Sequence, residues 1–352
     1  MRRLERSSGS SARSRRSPHS FLPLSWLGLA CGMACGSGGV AKPAAVPSKR
    51  TPGAAKPAAI SGATAERVRQ VWEAAAGGYG RAVAVSRRHG RVAYASKTHV
   101  ALYDLGTGKL LGEARPCTEV VHTGLAFVGA KLHLVCTDQL VSYAADRLAP
   151  VAPPAIDKET VTAAAFAGAR LALGHHDGVV RVYDLEQGKT TEVPVPGPPI
   201  DVKSLALSAD GKRLAVAWVQ GSVWWWELSA PDQFHKLVRQ EAESDALAFD
   251  PSGQLLAEEG ARHTTSLWRL TEATAPYAKL QGGEWTKQIL FSPDAKWLVR
   301  GGSDGLHLAE IGGSRRVALD ARGKVEDVAI DENFATLAVA EREGRLSVWA
   351  VR

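Results

Sequence analysis

Cysteine is scarce in this chain, with four in 352 residues. Cys31, Cys35, Cys117 and Cys136 lack the paired spacing of a zinc site. Long apolar runs are also missing. The apolar-leaning stretch over residues 21–34 would reach about 21 Å as a helix, short of the ~30 Å core of a bilayer, which argues against a permanent membrane span. No nucleophile motif, phosphate-binding loop or metal signature occurs, so no enzyme class is indicated and no cofactor is implied. Acids are nearly absent from residues 1–60, which hold ten Lys and Arg against Glu5 alone. The net charge of +7 therefore splits into +9 on this segment and −2 on the remainder. The basicity belongs to the leader and linker, so the charge does not point to a nucleic-acid partner.

What is present starts with a basic and then apolar N-terminus. Residues 1–20 carry six Arg, and Phe21 to Cys35 is apolar and ends in small residues. This order describes an export signal. The stretch resembles a bacterial lipoprotein signal, in which a small residue precedes a Cys that receives lipid. Ala30-Cys31 and Ala34-Cys35 both fit, and Gly36-Ser37-Gly38-Gly39 fits the tether that follows. The third position before the Cys, where such signals favour Leu, is Gly28 or Gly32. Ser14-Arg15-Arg16-Ser17 is similar to a twin-arginine signal, although Phe21-Leu22 comes late for one. The resemblance implies a periplasmic or outer-membrane-anchored lipoprotein, with Cys31 or Cys35 modified and no other membrane contact. Plain secretion, or a cytoplasmic protein with a misread start, are the alternatives.

Residues 1–35 are thus read as the signal and 36–65 as a disordered Ala/Pro/Gly-rich linker, too poor in apolar bulk to offset the entropy of ordering. Residues 66–352 form the globular body. Within it, Cys136 should end a strand and Cys117 should lie in the loop entering the same unit. An exported protein could bond them, and two buried thiols acting as small apolar side chains is the other reading.

The body is built on a recurrent strand ending. It reads Tyr103-Asp104-Leu105, Ser142-Tyr143-Ala144, Tyr183-Asp184-Leu185, Trp226-Glu227-Leu228, Trp268-Arg269-Leu270, Ala309-Glu310-Ile311 and Trp349-Ala350-Val351, at steps of 40 to 43 residues. Such a period, made of short strands, marks a propeller blade. One unit shows the pattern in full. Lys203–Ser208 alternates as a strand does, Ala209-Asp210-Gly211-Lys212 is a tight turn, and Arg213–Ala217 and Ser222–Leu228 are further strands. Phe234–Val238 supplies a fourth. Asp250-Pro251-Ser252-Gly253 and Ser292-Pro293-Asp294-Ala295 occupy the same turn in the next two units.

Successive strand residues face opposite ways, so Trp224-Trp225-Trp226 needs cover on both sheet faces, which only flanking blades supply. The first strands, such as Ala82–Val85 and Thr162–Ala165, are small-residue segments suited to a crowded axis. The last unit ends one strand short. Arg67–Glu73 is expected to pair with it and latch the ring, in competition with a helix over 65–76.

Val180–Leu185, Ser222–Leu228, Leu205–Ala215 and Ile289–Val299 resemble the WD40-repeat family over roughly residues 66–352. The resemblance implies an all-β, seven-bladed propeller of four-stranded antiparallel blades, monomeric and acting as a non-catalytic platform for a protein partner. The Gly-His pair that opens well-formed repeats is absent, and only Asp104 and Asp184 keep the Asp after the aromatic. A propeller enzyme of lactonase or quinoprotein type is one alternative. It needs acids and His around the axial opening, whereas the inner strands read mostly Ala, Val and Leu. A binder of a small ligand or polysaccharide is the other.

Candidate partner-contact residues sit in loops: His175, His176 and Asp177, then Arg262 and His263, then Asp304 and Arg342. The His-His-Asp cluster is read as a surface turn. Glu258-Glu259 and Glu341-Arg342-Glu343 are read as solvated loops between second and third strands. Asp104 and Asp184 suit turn hydrogen bonding.

Overall fold

Alternation at period two, punctuated by Gly-, Asp- and Pro-bearing turns, gives strands and almost nothing else. The computed structural model describes residues 58–352 apart from 62, 158, 196–199, 238–243, 261–262, 273 and 283–284. The signal, Cys31, Cys35 and the linker up to residue 57 lie outside the described residues.

The first strand, β1 (Val68–Ala75), precedes the first complete blade. Blade 1 holds β2 (Gly80–Ser86), β3 (Arg91–Ser96), β4 (Val100–Asp104) and β5 (Leu110–Ala114). Blade 2 holds β6 (Val120–Val128), β7 (Lys131–Cys136), β8 (Leu140–Ala144) and β9 (Pro150–Val151). Blade 3 holds β10 (Val161–Ala167), β11 (Arg170–His175), β12 (Val180–Asp184) and β13 (Lys189–Val193). Blade 4 holds β14 (Val202–Leu207), β15 (Arg213–Trp218), β16 (Val223–Glu227) and β17 (Phe234–Lys236). Blade 5 holds β18 (Ser244–Phe249), β19 (Leu255–Gly260), β20 (Thr264–Arg269) and β21 (Ala278–Gln281). Blade 6 holds β22 (Thr286–Phe291), β23 (Trp297–Gly302), β24 (Gly305–Glu310) and β25 (Arg316–Leu319). Blade 7 holds β26 (Val325–Ile330), β27 (Thr336–Glu341) and β28 (Arg345–Val351), with β1 as its outer strand.

All seven sheets are four-stranded and antiparallel. Each blade's first strand touches the first strand of the next, and β26 meets β2, so the ring closes. β1 pairs with β28 along its whole length, from Val68↔Val351 to Ala75↔Arg345. The latch is therefore a strand, and a single 3-10 turn over Ala65–Arg67 is all the helix that forms beside it. The body also begins earlier than residue 66. The Ile60 N–H donates to the Phe334 carbonyl at 2.6 Å, and Ile60 lies in the blade 6–7 core with Trp297, Leu337 and Trp349. Its buried side chain orders the last residues assigned to the linker.

Each sheet is covered on both faces. Trp226 packs with Trp218, Leu214 and Val182 towards blade 3, while Trp225 packs with Leu247, Phe249 and Trp268 towards blade 5. Trp224, half-buried, lies edge-on to Trp218 and against Phe234. The tight turns close by side-chain bonds: the Ser208 hydroxyl donates to Asp210 at 2.6 Å, and Ser292 does the same to Asp294. Asp104 accepts the Thr107 N–H at 3.0 Å, and Asp184 accepts the Gln187 N–H at 2.8 Å, so both acids shape turns.

Glu258, Glu259 and Glu341 correct the sequence reading. All three are strand residues, each no more than 2% exposed. Trp268 Nε1 donates to Glu258 at 3.0 Å, and Arg300, equally buried, donates to Glu259 at 3.3 Å across the blade 5–6 interface. Burial raises the Glu259 carboxyl above its ordinary range, and the Arg300 charge opposes that rise. Paired partners let these acids sit inside, where an isolated carboxylate would be costly.

Candidate functional site: the axial mouth

The first strand of every blade begins with a register irregularity. The extra residues are Arg81, Thr162, Lys203, Asp245, Lys287 and Glu326, with a longer irregularity over 121–124 that contains His122. A bulge re-aims the side chain it carries. These residues recur at about 40, the blade period, so the ring gathers them at one end of the axis. Two of the irregularities staple neighbouring blades: the Thr123 hydroxyl donates to the Ala164 carbonyl and the Thr162 hydroxyl to the Val202 carbonyl, both at 2.8 Å.

The others form a charged rim. Arg81 pairs with Glu119 at 2.9 Å, and Lys97 joins the same carboxylate at 3.7 Å. Lys203 pairs with Asp245 at 3.1 Å, and Trp285 Nε1 donates to Asp245. Glu326 accepts from Arg342 and, at 3.0 Å, from the Tyr79 hydroxyl. Arg81 and Arg342 both lie over the Tyr79 ring, at 5.4 and 5.3 Å. Lys287 lies over the Trp285 ring at 5.0 Å. His122 is pushed down to about 4, first by burial and then by the charges of Arg81, Lys287 and Arg342. Arg81 is in blade 1 and Lys287 in blade 6, so His122 of blade 2 responds to charge from across the axis.

A cavity of about 330 Å³ opens beside this rim, lined by Trp285, Lys287, Ser303, Lys324, Val325, Glu326 and Arg342. Trp285 is 49% exposed and Tyr79 39%. The inner strands are mostly Ala, Val and Leu, as the sequence reads, but five of them carry a charged residue at their second position, and β26 carries a second acid, Asp327, directly after it.

The contact residues picked from sequence, Arg262 apart, fall on this same end of the ring, because the second-to-third-strand loops border the starts of the first strands. They do not all face outwards. His175 ends β11 fully buried and offers no surface to a partner; burial lowers its pKa. His176, its neighbour, is exposed and pairs with Asp201 at 2.8 Å. Asp177 caps the turn by accepting the Val179 N–H at 3.1 Å. Arg262 lies outside the described residues. His263 is exposed, with φ of 58°. Asp304 holds Arg316 at 2.6 Å and His307 at 3.2 Å. Arg342 alone of the set lines the cavity. Cys117 and Cys136 are bonded, with their Cα atoms 6.2 Å apart, and brace the loop that carries Glu119. Among the described residues no three His, Cys, Asp or Glu converge as metal ligands, and no helix is long and apolar enough to cross a membrane.

With this geometry in view, one similarity to a known protein stands out. Over 136 residues the chain is 28% identical to the small ribosomal subunit protein RACK1y of Oryza sativa subsp. japonica. Fold and match agree on a WD40-like propeller. The match covers 36% of this chain and 40% of that protein, so it reaches less than half of either. No protein-family model matches the chain.

Proposed function

We propose that this propeller is a non-catalytic platform that binds a protein partner through the face holding the axial mouth. The observation that carries this reading is the pairing of exposed Tyr79 and Trp285 with Arg81, Arg342 and Lys287 around one concavity. Aromatic rings and Arg concentrate binding energy at protein interfaces. The similar protein is named as a ribosomal subunit component, hence a member of an assembly, which supports the reading by analogy alone. The platform acts as a monomer, without cofactor or nucleic acid.

Export and a lipid anchor at Cys31 or Cys35 complete the proposal. The Cys117–Cys136 bond supports export, because such bonds persist in oxidising compartments. A second reading, a binder of a small ligand or envelope polysaccharide, is favoured by the half-exposed Trp285 ring at the cavity. A lactonase- or quinoprotein-type enzyme is a weaker third.

Affinity capture from the native envelope tests the platform reading. The wild-type chain is expected to retain a protein that the Tyr79→Ala/Trp285→Ala variant loses. Capture of no protein, together with turnover of a small substrate, overturns it. The mass of the mature N-terminus tests the anchor: an acylated start at Cys31 or Cys35 is expected, and an unacylated start elsewhere removes it.

A further inference from the structure

We propose that the cavity at the axial mouth recognises a carboxylate-rich peptide segment. The proposal rests on the platform reading and names the chemistry of the partner at that site.

The cavity lining carries Lys287, Lys324 and Arg342 against Glu326. Glu326 is already held by Arg342 and the Tyr79 hydroxyl. Lys287 and Lys324 form no ion pair among the described residues, so two cations at the cavity are left for a ligand. Arg81 adds to this. Its Nη2 holds Glu119, yet its buried Nε–H has no acceptor. The positive charges of Arg81, Lys287 and Arg342 reach His122 and, added to its burial, help keep its ring neutral. An electroneutral or cationic ligand would leave this field uncompensated, whereas an anion would be drawn to it.

The mouth already holds carboxylates on its guanidinium groups: Arg81 binds Glu119 and Arg342 binds Glu326. The lysine ammonium groups that remain are point charges that attract carboxylate and phosphate alike, so competition with inorganic phosphate is part of the test. The cavity volume of about 330 Å³ lies at the small end for ligand sites and suits a few side chains of an extended segment. The exposed Trp285 ring beside Lys287 offers an apolar wall for the aliphatic part of a Glu side chain.

The test uses the full chain and a fluorescein-labelled hexaglutamate peptide, followed by fluorescence anisotropy, with hexaglutamine as control. Hexaglutamate is expected to bind about tenfold or more tightly than hexaglutamine, as one to two charge-assisted contacts predict. That advantage should shrink as salt is raised. It should vanish in Lys287→Glu/Lys324→Glu, whose melting temperature should match the wild type. If the reversed pair disturbs folding, Lys287→Met/Lys324→Met provides the same comparison. Equal affinity for the two peptides, or unchanged hexaglutamate affinity in a folded variant, overturns the proposal. Displacement of hexaglutamate by inorganic phosphate, at concentrations where acetate fails, overturns it in favour of a phosphate site. Partner capture separates the two readings. A partner kept equally by wild type and Lys287→Glu/Lys324→Glu leaves the platform standing and removes the anionic site. Absence of any partner removes the platform, while the peptide titration still decides the site.

Discussion

Asp327 is the residue through which three blades meet. It is wholly buried on β26, its Oδ2 accepts the Val83 N–H at 2.8 Å from blade 1, and its Oδ1 accepts the Gln288 amide at 3.1 Å from blade 6. Desolvation nonetheless dominates and lifts its pKa from 3.8 to about 7. An acid whose folded pKa is raised binds its proton more tightly in the native state. Its contribution to stability is full below about pH 4 and is lost as pH rises from about 4 to 7. Asp327→Asn removes that titration. The stability gap between wild type and variant should therefore shift against the wild type across this window, by roughly 2–4 kcal/mol. Urea unfolding at three pH values measures it, and any constant cost of losing the carboxylate cancels; parallel curves for the two proteins would refute the assignment. Ala295 gives a second prediction at this scale. It sits at φ of 51° in a turn where the equivalent Gly211 and Gly253 have 68° and 71°. A left-handed Ala costs about 1–2 kcal/mol, and Gly in the unfolded chain costs about 0.5–1 in return. Ala295→Gly should thus stabilise by up to about 1 kcal/mol, read as a rise in the urea midpoint. An unchanged or lowered midpoint would show that the turn carries no such strain.

At the scale of the element, the three tryptophans of β16 separate core from edge. Trp226 has no solvent exposure and joins the blade 3–4 cluster, whereas Trp224 is only half-buried beside Phe234 and Lys236. Trp226→Ala should cost about 3–5 kcal/mol, as large-to-small changes in a packed core do. Trp224→Ala should cost well under half as much, because less surface leaves water when it folds. Denaturant midpoints compare the pair, and equal losses would mean the blade is not sandwiched as described. The third strands and their turns were legible because strand alternation and turn chemistry both work over a few neighbours: Tyr103, Tyr183 and Trp226 all mark blade positions correctly. The mouth was not legible for a related reason. Alternation assigns Arg81, Lys203 and Lys287 to a blade face, but each sits where the register slips by one residue, and a slip exchanges the two faces. Their common spacing of about 40 was the available signal. Glu258 and Glu259 were misread because an acidic pair looks like a solvated loop until its buried partners, Trp268 and Arg300, are brought in from elsewhere in the fold.

For the whole molecule, closure depends on a strand that is remote in sequence from its partner. β1 covers β28, the Arg352 N–H returns to the Arg67 carbonyl at 3.1 Å, and Ile60 fills the blade 6–7 core. Trp72 extends the latch to blade 1, donating from Nε1 to the Leu105 carbonyl at 2.8 Å and lying 6.2 Å from the Tyr103 ring. Deleting residues 58–75 would leave β28 as an unpaired edge with Trp349 and Val351 uncovered. Unpaired edges recruit other chains. The deletion is therefore expected to lower the unfolding midpoint by well over the effect of any single core substitution, and to make the protein self-associate with increasing concentration. A synthetic peptide of residues 58–75, added in trans, should restore both properties, since the contacts described for the strand are non-covalent: pairing with β28, side-chain burial, the Trp72 bond to Leu105 and the Arg322–Glu73 ion pair at 3.4 Å. Circular dichroism melts and sedimentation measure the two effects. A deleted chain that melts as before and shows no self-association would mean that the ring is held shut by β26 against β2, with Asp327 and the inner strands sufficient on their own.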